Sequence, residues 1–444
     1  MSTPRKTRIR YLIVSMLFLA SSFSYGDRVV LSIVGVALSK DMHLNALKLG
    51  YLLSAFSWAY VVMQLPAGGL LDRYGSKRVY GYSIIGWSIC AIFAGFTGYL
   101  PLTIAFASLF FLRLLSGAVQ SPIFPGNGRI VAAWFPAAER GRASAIFNSS
   151  QYFALVFFGP LMGWLVTRRN WEACFWLGGV MSLLLSALWF RMVYSVKEHP
   201  RISQMEIDHI ELGGGLASMD SGTAKRASTL TWSGVKLLLS NRMLVGIYLG
   251  QYCITALTWF FLTWFPIYLS QARHMSMQKV GFLSALPAMC GVVGGILGGI
   301  VSDAILKKTK SPSIARKTPI VAGMLCSLTM IACNYTNSSA IVVALMSLAF
   351  FGKGFGALGW TVISDVSPRN MIGLNGGLFN LIGNTAGITT PIIIGYIREK
   401  TGSFEMALIY VGFMALTAIL SYLLLVGEIK RVEFTPEQLQ GRAG

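Results

Sequence analysis

An acid and a base lie side by side in a strongly apolar stretch of the chain. Asp27 and Arg28 fall inside residues 11–38, a run long enough to cross a membrane. Each charge near the middle of a span costs about 2.5–3.5 kcal/mol on insertion scales, so such residues usually face a water-filled cavity or a substrate path. Adjacent helical residues point about 100° apart, so these two side chains need separate partners. The alternative is a self-neutralising pair near a helix end.

Other polar side chains recur in apolar runs at helical spacing. Arg carries a planar fork that suits a carboxylate, and amide or indole N–H groups suit hydroxyls. Lys353 is the only lysine that we place inside a span; alternatively it pairs with Asp365 or extends to the membrane surface. For the amides and aromatics, the alternatives are helix–helix hydrogen bonds and interface anchoring. Three pairs share a helical face at spacings of seven or four residues: Arg113 with Gln120, Lys353 with Trp360, and Asn380 with Asn384.

The residues that usually carry enzyme chemistry do not form a recognisable set. There is no nucleophile–base pair, phosphate loop or metal-ligand spacing, and the four histidines fall near predicted loops. The six cysteines form no C-x-x-C motif, so we interpret them as small packing residues rather than disulfides or ligands. We therefore predict no enzyme, no metal and no organic cofactor.

The elements that must position these polar residues are membrane helices. Of the 444 residues, 54% are hydrophobic and 12% are charged, and apolar runs recur that can each cross a bilayer. Because the runs are continuous rather than alternating, we predict an all-α membrane protein with twelve transmembrane helices. The basic N-terminal stretch lacks a clear cleavage site and is followed by further spans, so we interpret it as a first transmembrane helix.

The distribution of positive charge predicts the orientation of the spans. The net charge is +20, and 26 of the 37 Lys and Arg residues fall in segments on one side of a twelve-span map, against 8 on the other side and 3 within spans. This positive-inside pattern predicts cytoplasmic termini and a cytoplasmic segment at 195–242. It also accounts for the basic charge without nucleic acid.

The two halves of the chain resemble each other. Pro160 and Pro391 are 231 residues apart, Asp72 and Asp303 keep the same offset, and the Phe-Asn pair at 147–148 recurs at 379–380. Repeated halves are typical of secondary transporters. We predict two pseudo-symmetric six-helix bundles at 1–194 and 243–444, joined by a cytoplasmic linker at 195–242 with a short helix that starts at Ser203 and stops at three glycines.

The segment GGLLDRYGSKR at 68–78 resembles the signature between the second and third helices of the major facilitator superfamily. This resemblance implies a cytoplasmic gate in which Asp72 pairs with cations of a neighbouring helix, with Arg140 and Arg142 as candidates. Gly68 would allow a close helix approach and Gly75 a tight turn. The gate residues that we predict are Gly68, Asp72, Arg73, Gly75, Arg140 and the repeat counterpart Asp303.

Further motifs resemble the anion:cation symporter branch of this superfamily, and within it the bacterial D-glucarate/D-galactarate permeases. The likeness covers nearly the whole chain. The segments that carry it are YGDR at 25–28, FSWAY at 56–60, FPGN at 124–127, IVAAWFP at 130–136, FFGKGFGALGW at 350–360, RKTPI at 316–320 and VGEIKR at 426–431.

The resemblance implies a site for a sugar acid. A six-carbon diacid needs cations for its two ends, and Arg28 and Lys353 provide one intramembrane cation in each half. Amides, phenols and indoles serve the hydroxyls. The substrate-binding residues that we predict are Tyr25, Arg28, Tyr60, Gln151, Lys353, Trp360 and Asn380.

Proton coupling is predicted at Asp27, Arg113 and Gln120. Relatives usually carry Glu where this chain has Gln120, and the family implies that this Glu is a coupling carboxylate. Glutamine cannot ionise. Either the chain is a natural variant that couples through Asp27 alone, or the substitution holds one conformational state.

We therefore predict a secondary active transporter that imports a glucarate- or galactarate-like anion with protons by alternating access. Protonation of Asp27 would release its hold on Arg28 or Arg113 and bias one two-state equilibrium. The alternatives are uptake of another organic anion such as galactonate or a hexuronate, a drug exporter, and a non-transporting membrane sensor. We expect a monomer in the inner membrane of a bacterium, with a small organic anion and the lipid bilayer as its partners.

Overall fold

Helices make up all the regular structure in the described part of the chain. The computed structural model describes residues 7–136, 139–219, 232–368 and 371–434. The prediction of an all-α fold with twelve spans is confirmed, because twelve stretches of these residues are long and apolar enough to cross a membrane. They are Ile9–Asp41, Ala46–Gln64, Ser76–Tyr99, Leu102–Trp134, Arg140–Arg168, Trp171–Met192, Arg242–Gln271, Met277–Thr309, Pro312–Tyr335, Ser339–Val366, Ile372–Thr401 and Glu405–Leu425.

Eighteen α-helices build these spans and the segments between them. The helices up to the linker are α1 Ile9–Asp41, α2 Ala46–Tyr74, α3 Ser76–Phe96, α4 Leu102–Gln120, α5 Ile123–Trp134, α6 Arg140–Arg168, α7 Trp171–Met192 and α8 Gln204–Leu212. Those that follow are α9 Trp232–Ser240, α10 Arg242–Trp259, α11 Phe265–Gln271, α12 Met277–Leu283, α13 Ala285–Thr309, α14 Pro312–Ser327, α15 Ser339–Gly354, α16 Gly359–Val366, α17 Ile372–Thr401 and α18 Glu405–Leu420.

The chain forms two compact units. Unit 1 contains Met1–Met42 and Ala55–Ser228, and unit 2 contains His43–Ser54 and Thr229–Gly444. In unit 1, α1 packs along α6, and in unit 2, α10 packs along α17. These are the first and fifth spans of each sequence half, so the two units repeat the same helix pairing.

Several spans are interrupted near their middle. Pro122 separates α4 from α5, because proline lacks the N–H that would continue the helix ladder. A π-turn at Phe260–Trp264 joins α10 to α11, and a 3₁₀ turn at Phe355–Leu358 joins α15 to α16. Both bends lie in unit 2, and the second directly follows Lys353 and Gly354.

A further trace of the repeat appears in two loops. His43 and His274, which are 231 residues apart, adopt left-handed backbone angles with φ of 49° and 52°. Each is followed by a helix cap, in which the Asn45 side chain accepts from the backbone N–H of Lys48 at 2.9 Å and the Ser276 hydroxyl from that of Lys279 at 3.5 Å. The offset of 231 that Pro160 and Pro391 indicate therefore extends to backbone geometry.

The linker begins as part of unit 1. Its helix α8 starts where the sequence predicts, with the Ser203 hydroxyl capping the N–H of Glu206 at 3.4 Å. Ile210 of α8 is fully buried in a cluster that includes Tyr80 and Trp189, whose rings stack with centroids 4.2 Å apart. All six cysteines lie among the described residues and are free, as their interpretation as packing residues requires.

Candidate functional site

The Asp27 carboxylate lies in the middle of α1 and faces α4 in unit 1. Its Oδ2 accepts hydrogen bonds from Arg113 Nη1 at 3.0 Å, Gln120 Nε2 at 3.0 Å and Ser116 Oγ at 3.2 Å. The three donors sit at spacings of three and four residues on one face of α4. The predicted group of Asp27, Arg113 and Gln120 is therefore brought together. Ser116 was missed, although its spacing from both predicted residues was a usable signal.

The amide of Gln120 has a defined orientation. Ser24 on α1 donates to Gln120 Oε1 at 2.7 Å, while Nε2 donates to Asp27 and, at 3.0 Å, to Ser116. Gln120 is fully buried. A protonated carboxylic acid at this position could accept from Ser24 and donate to Asp27 in the same way. The amide thus makes the two contacts that a neutral carboxylic acid could make at this position.

Arg28 lies in a cage of aromatic rings. Its Cζ is 4.8, 4.3 and 5.0 Å from the ring centroids of Tyr25, Phe56 and Tyr60. The Tyr25 ring is held from behind by an edge contact with Phe124. The Nε and Nη2 atoms are buried and have no hydrogen-bond partner among the described residues. A guanidinium that is desolvated but unpaired is costly, and an incoming carboxylate would complete it.

Asp27 and Arg28 do not pair with each other, as their spacing on the helix predicts. The sequence left Arg28 and Arg113 as possible partners of Asp27, and in the structure Asp27 pairs with Arg113. Arg28 is therefore left available. Gln151, on α6, bonds locally, because its Nε2 donates to the backbone carbonyl of Asn148 at 3.3 Å.

The cytoplasmic-gate residues of unit 1 pair differently from the prediction. Asp72, at the end of α2, forms its ion pair with Arg129 of α5 instead of Arg140 or Arg142. Arg140 donates to the backbone carbonyls of Ala132 and Phe135, which are the free acceptors that a helix end leaves. The sequence could not show that α5 presents Arg129 to Asp72.

The remaining residues of the signature segment have different surroundings. Gly75 ends α2 with φ of 77°, so its predicted turn role is confirmed. A side chain on Gly68 would meet nothing within 4 Å among the described residues, so the expected close approach there is wrong in this structure. The guanidinium of Arg73 lies 5.2 Å from the ring centre of Tyr74.

In unit 2, Lys353 is buried near the end of α15. Its side chain lies against Phe350, with Nζ 5.1 Å from the ring centroid. The alternative of an ion pair with Asp365 is not realised, because Asp365 pairs with Arg316 at 3.2 Å. Arg316 also bonds to Asp303 at 3.3 Å and to the Ser302 hydroxyl at 2.7 Å. Asp303 thus belongs to a three-residue charge cluster that the sequence did not reveal.

Polar groups that the sequence analysis missed surround Gly359. The Gln251 amide donates to Thr255 Oγ1 at 3.3 Å, which leaves its Oε1 buried without a partner among the described residues. The Tyr422 hydroxyl is also buried and has no hydrogen-bond partner among the described residues. A β-carbon on Gly359 would lie 3.0 Å from Gln251 Oε1 and 3.7 Å from the Tyr422 hydroxyl. An acceptor and a phenol therefore converge on one glycine.

Trp360 and Asn380 are the two other residues that the sequence predicts in unit 2. The first follows Gly359 in the chain, and the second follows Phe379, whose ring lies next to Gly359. Trp360 follows Gly359, is 48% exposed, and meets the edge of Phe379 with centroids 4.9 Å apart. Asn380 follows Phe379 and accepts from Asn384 Nδ2 at 3.0 Å, so the predicted pair on one helical face is present.

Comparison with known proteins identifies the class. The family model described as the major facilitator superfamily matches residues 17–391. The chain therefore belongs to the major facilitator superfamily of membrane transporters. Among solved structures, it is similar to a D-xylose-proton symporter with a TM-score of 0.70, 14% identity and coverage of 96% of this chain and 100% of that one.

Among curated sequences, the chain is similar to proteins whose names describe transporters, several of them probable, of sugar acids. It is 56% identical to a probable galactarate/D-glucarate transporter of Bacillus subtilis, over 96% of this chain and 94% of that protein. It is 52% identical to a probable galactarate/D-glucarate transporter of Escherichia coli, over 98% and 97%. A D-galactonate transporter of Escherichia coli O6:H1 is 39% identical over 96% and 97%.

Proposed function

We propose that the protein is a secondary transporter that imports a six-carbon sugar diacid of the glucarate or galactarate type, with protons as the coupling ion. Membership of a transporter family supports the class of function. The names of relatives at 56% and 52% identity support the diacid. We place the protein in the inner membrane of a bacterium as a monomer, with both termini in the cytoplasm. The charge distribution supports the position of the termini.

The observation that carries the proposal is the state of Arg28. Two nitrogens of this buried guanidinium lack an acceptor among the residues that the structure describes, whereas Arg113, on the neighbouring α4, is neutralised by Asp27. The free guanidinium offers a carboxylate two parallel N–H donors inside an apolar wall of three rings. We assign it to one carboxylate of the substrate.

The second carboxylate and the hydroxyls are assigned to unit 2. Lys353 is buried next to Phe350 and forms no ion pair with Asp365, so it can neutralise an anion. Gln251 Oε1 can accept from a hydroxyl, and the Tyr422 hydroxyl can donate to one. Trp360 and Asn380 add an indole and an amide from the same unit, and the Trp360 ring contacts Phe379, the residue before Asn380.

A binding measurement tests the proposal. We expect the purified protein to bind D-glucarate and galactarate, and Arg28→Lys to weaken both by at least about tenfold, because an ammonium cannot form the two-pronged contact. Arg191→Lys, at the exposed end of α7, makes the same change away from the site and should bind like the parent. Equal affinities for the parent and Arg28→Lys would contradict the assignment.

Uptake of a monoacid is the second candidate. The D-galactonate transporter at 39% identity favours it, since that relative covers nearly the whole chain. Parallel titrations with galactonate and glucarate show which acid the protein binds more tightly and so separate the two candidates.

A further inference from the structure

The first turn of α1 and the first turn of α8 cap each other in unit 1. Ser203 donates its backbone N–H to Thr7 Oγ1 at 2.9 Å, and Thr7 returns its own N–H to Ser203 Oγ at 3.1 Å. Glu206 then accepts from the backbone N–H groups of Ile9 at 2.9 Å and Arg10 at 3.2 Å. These are donors that the start of a helix leaves unsatisfied, so a carboxylate of the linker completes the first membrane helix.

Charge strengthens this contact. The Glu206 side chain is fully buried, and Arg10, whose side chain is 7% exposed, bonds to it through Nη1 at 3.2 Å. The Nε of the same guanidinium pairs with Oε2 of Glu139, at the start of α6, at 3.0 Å. His209, one turn further along α8, lies 3.3 Å from Glu139. We call Thr7, Arg10, Glu139, Ser203, Glu206 and His209 the linker latch.

The linker then continues across unit 1 to the gate. The Gly214 carbonyl accepts from Arg140 at 2.6 Å, and the Leu216 N–H donates to the Ala132 carbonyl at 3.0 Å. Finally the Met219 carbonyl accepts from Arg129 Nη2 at 3.2 Å. Arg129 is the partner of Asp72, so the gate arginine is oriented from its other side by the linker.

We propose that the linker latch stays closed through the whole transport cycle, so that residues 199–219 move as one body with unit 1 and hold Arg129 towards Asp72. Opening the latch would take from the Glu206 carboxylate its donors on Thr7, Ile9 and Arg10 and would leave Arg10 with Glu139 alone, which disfavours an open state. Glu206 is then a positioning residue, acting on the gate through the linker backbone. The transport part of this inference rests on the proposed function.

A reversible cross-link tests whether the latch opens. The Thr7 and Ser203 hydroxyl oxygens are 3.1 Å apart, so the double variant Thr7→Cys, Ser203→Cys brings two thiols within reach of a disulfide. We expect the disulfide to form on mild oxidation and D-glucarate uptake into proteoliposomes to stay within about twofold of the reduced form, a change too small to mark a lost step. The parent, oxidised in the same way, controls for the native cysteines.

Loss of uptake on oxidation of the double variant alone, with recovery on reduction, would show that the latch must open and would overturn the proposal. Failure of the disulfide to form would overturn it as well. If the parent also takes up no sugar acid, the proposed function fails, and the latch is judged by hydrogen exchange.

Hydrogen exchange of α8 needs no substrate. We expect slow exchange in the parent and about tenfold faster exchange of residues 204–212 in Glu206→Gln, because a neutral amide removes, of the two carboxylates that hold Arg10, the one that lies on α8. Glu211→Gln is the matched control, since Glu211 lies on the same helix in an exposed pair with Lys197 at 3.0 Å. Equal exchange in both variants would show that no latch exists. With added D-glucarate, α8 of the parent should stay protected, and faster exchange would contradict a permanently closed latch.

Discussion

Two buried arginines on neighbouring helices of unit 1 differ in one respect that decides their roles. Arg113 has a carboxylate partner at 3.0 Å, whereas Arg28 lies among aromatic rings and its Nε and Nη2 atoms have no hydrogen-bond partner in the described part of the chain. Cation–π contacts contribute about 0.5–2 kcal/mol each, which offsets part of the desolvation of a guanidinium but gives its N–H groups no acceptor. Arg113 is therefore neutralised in this state, and for this reason our proposal assigns the anion to Arg28.

Lys353 should distinguish a diacid from a monoacid. Because this ammonium is assigned to the second carboxylate, Lys353→Gln should weaken D-glucarate binding by at least about tenfold and galactonate binding by much less. Titration of both acids against the parent and the variant measures the difference. Equal losses for the two acids would mean that Lys353 has a structural role.

Gln120 should limit proton coupling. The amide already donates to Asp27, so the contact that a protonated Glu would make is permanently present. We expect binding and exchange to persist while accumulation driven by a proton gradient is weak. Gln120→Glu should strengthen that accumulation, and Asp27→Asn should abolish any proton dependence that remains while sparing part of the binding.

Uptake into proteoliposomes with and without an inward proton gradient measures these effects. Strong accumulation by the parent, left unchanged by Gln120→Glu, would show that this position has no coupling role.

At the scale of helices, glycines in each unit allow one helix to approach the backbone carbonyl of another, and the tightest of these contacts occurs once in each unit. A β-carbon on Gly117 of α4 would overlap the carbonyl of Phe56 on α2, and one on Gly294 of α13 would overlap that of Phe351 on α15. Phe56 belongs to the aromatic cage of Arg28, so the crossing of α2 and α4 also fixes one wall of the candidate site.

Gly117→Ala should therefore lower stability and loosen the cage. The added methyl has to push α2 away, and overpacking of this kind costs about 1–3 kcal/mol. Gly178→Ala on α7 is the matched control, because a β-carbon there meets nothing within 4 Å. Thermal melting of the two variants in detergent is the measurement. A Gly117→Ala midpoint equal to that of Gly178→Ala would refute the steric argument.

The sequence predicted helices and shared faces better than contacts between elements. Arg113 and Gln120 lie seven apart, and both indeed reach Asp27, because helical spacing alone defines a face. Arg129 was missed as the partner of Asp72, since pairing at a loop depends on how α2 and α5 end in space.

Unit 2 shows the same limit. Tyr422 and Gln251 are 171 positions apart in the chain, and no local pattern connects them, yet both converge on Gly359. Lys353 was found because a charge in an apolar run is conspicuous. Tyrosine and glutamine are not, because packing and helix–helix bonding are their ordinary roles in such runs.

The linker latch should respond to acid. Burial alone would raise the pKa of Glu206, but hydrogen bonds from Thr7 and from the Ile9 and Arg10 amides outweigh it and lower the pKa below its usual range. Hydrogen bonds from Arg10 and His209 likewise lower the pKa of Glu139 against the effect of its burial. A carboxyl whose folded pKa is depressed stabilises the fold fully above its unfolded pKa, about 4.3, and less as pH falls through the folded value.

We therefore expect the melting midpoint to fall as pH is lowered below about 4.3, and Glu206→Gln to flatten that decline. The measurement is a series of thermal melts between neutral and acidic pH. Glu211→Gln should show the same change of melting midpoint with pH as the parent. If Glu206→Gln also shows that same change, the latch is not its cause.

At the scale of the whole molecule, charge predicts orientation. The 26-to-8 division of Lys and Arg predicts that the linker lies on the cytoplasmic side. Ser218 lies in the linker and is exposed, so a cysteine there is accessible from that side. In intact cells, Ser218→Cys should resist a membrane-impermeant thiol reagent and should react in inverted vesicles. Ready labelling in intact cells would overturn the topology.

The cap that Glu206 places on α1 also bears on the order in which the protein is made. Arg10 and Glu206 are 196 residues apart, so the first helix enters the bilayer long before its carboxylate partner leaves the ribosome. Until then, the amides of Ile9 and Arg10 must bond to water or to lipid headgroups at the membrane surface. Synthesis of the linker therefore completes unit 1, and a nascent chain that stops just before residue 206 already contains six spans but lacks the carboxylate that fixes the start of the first.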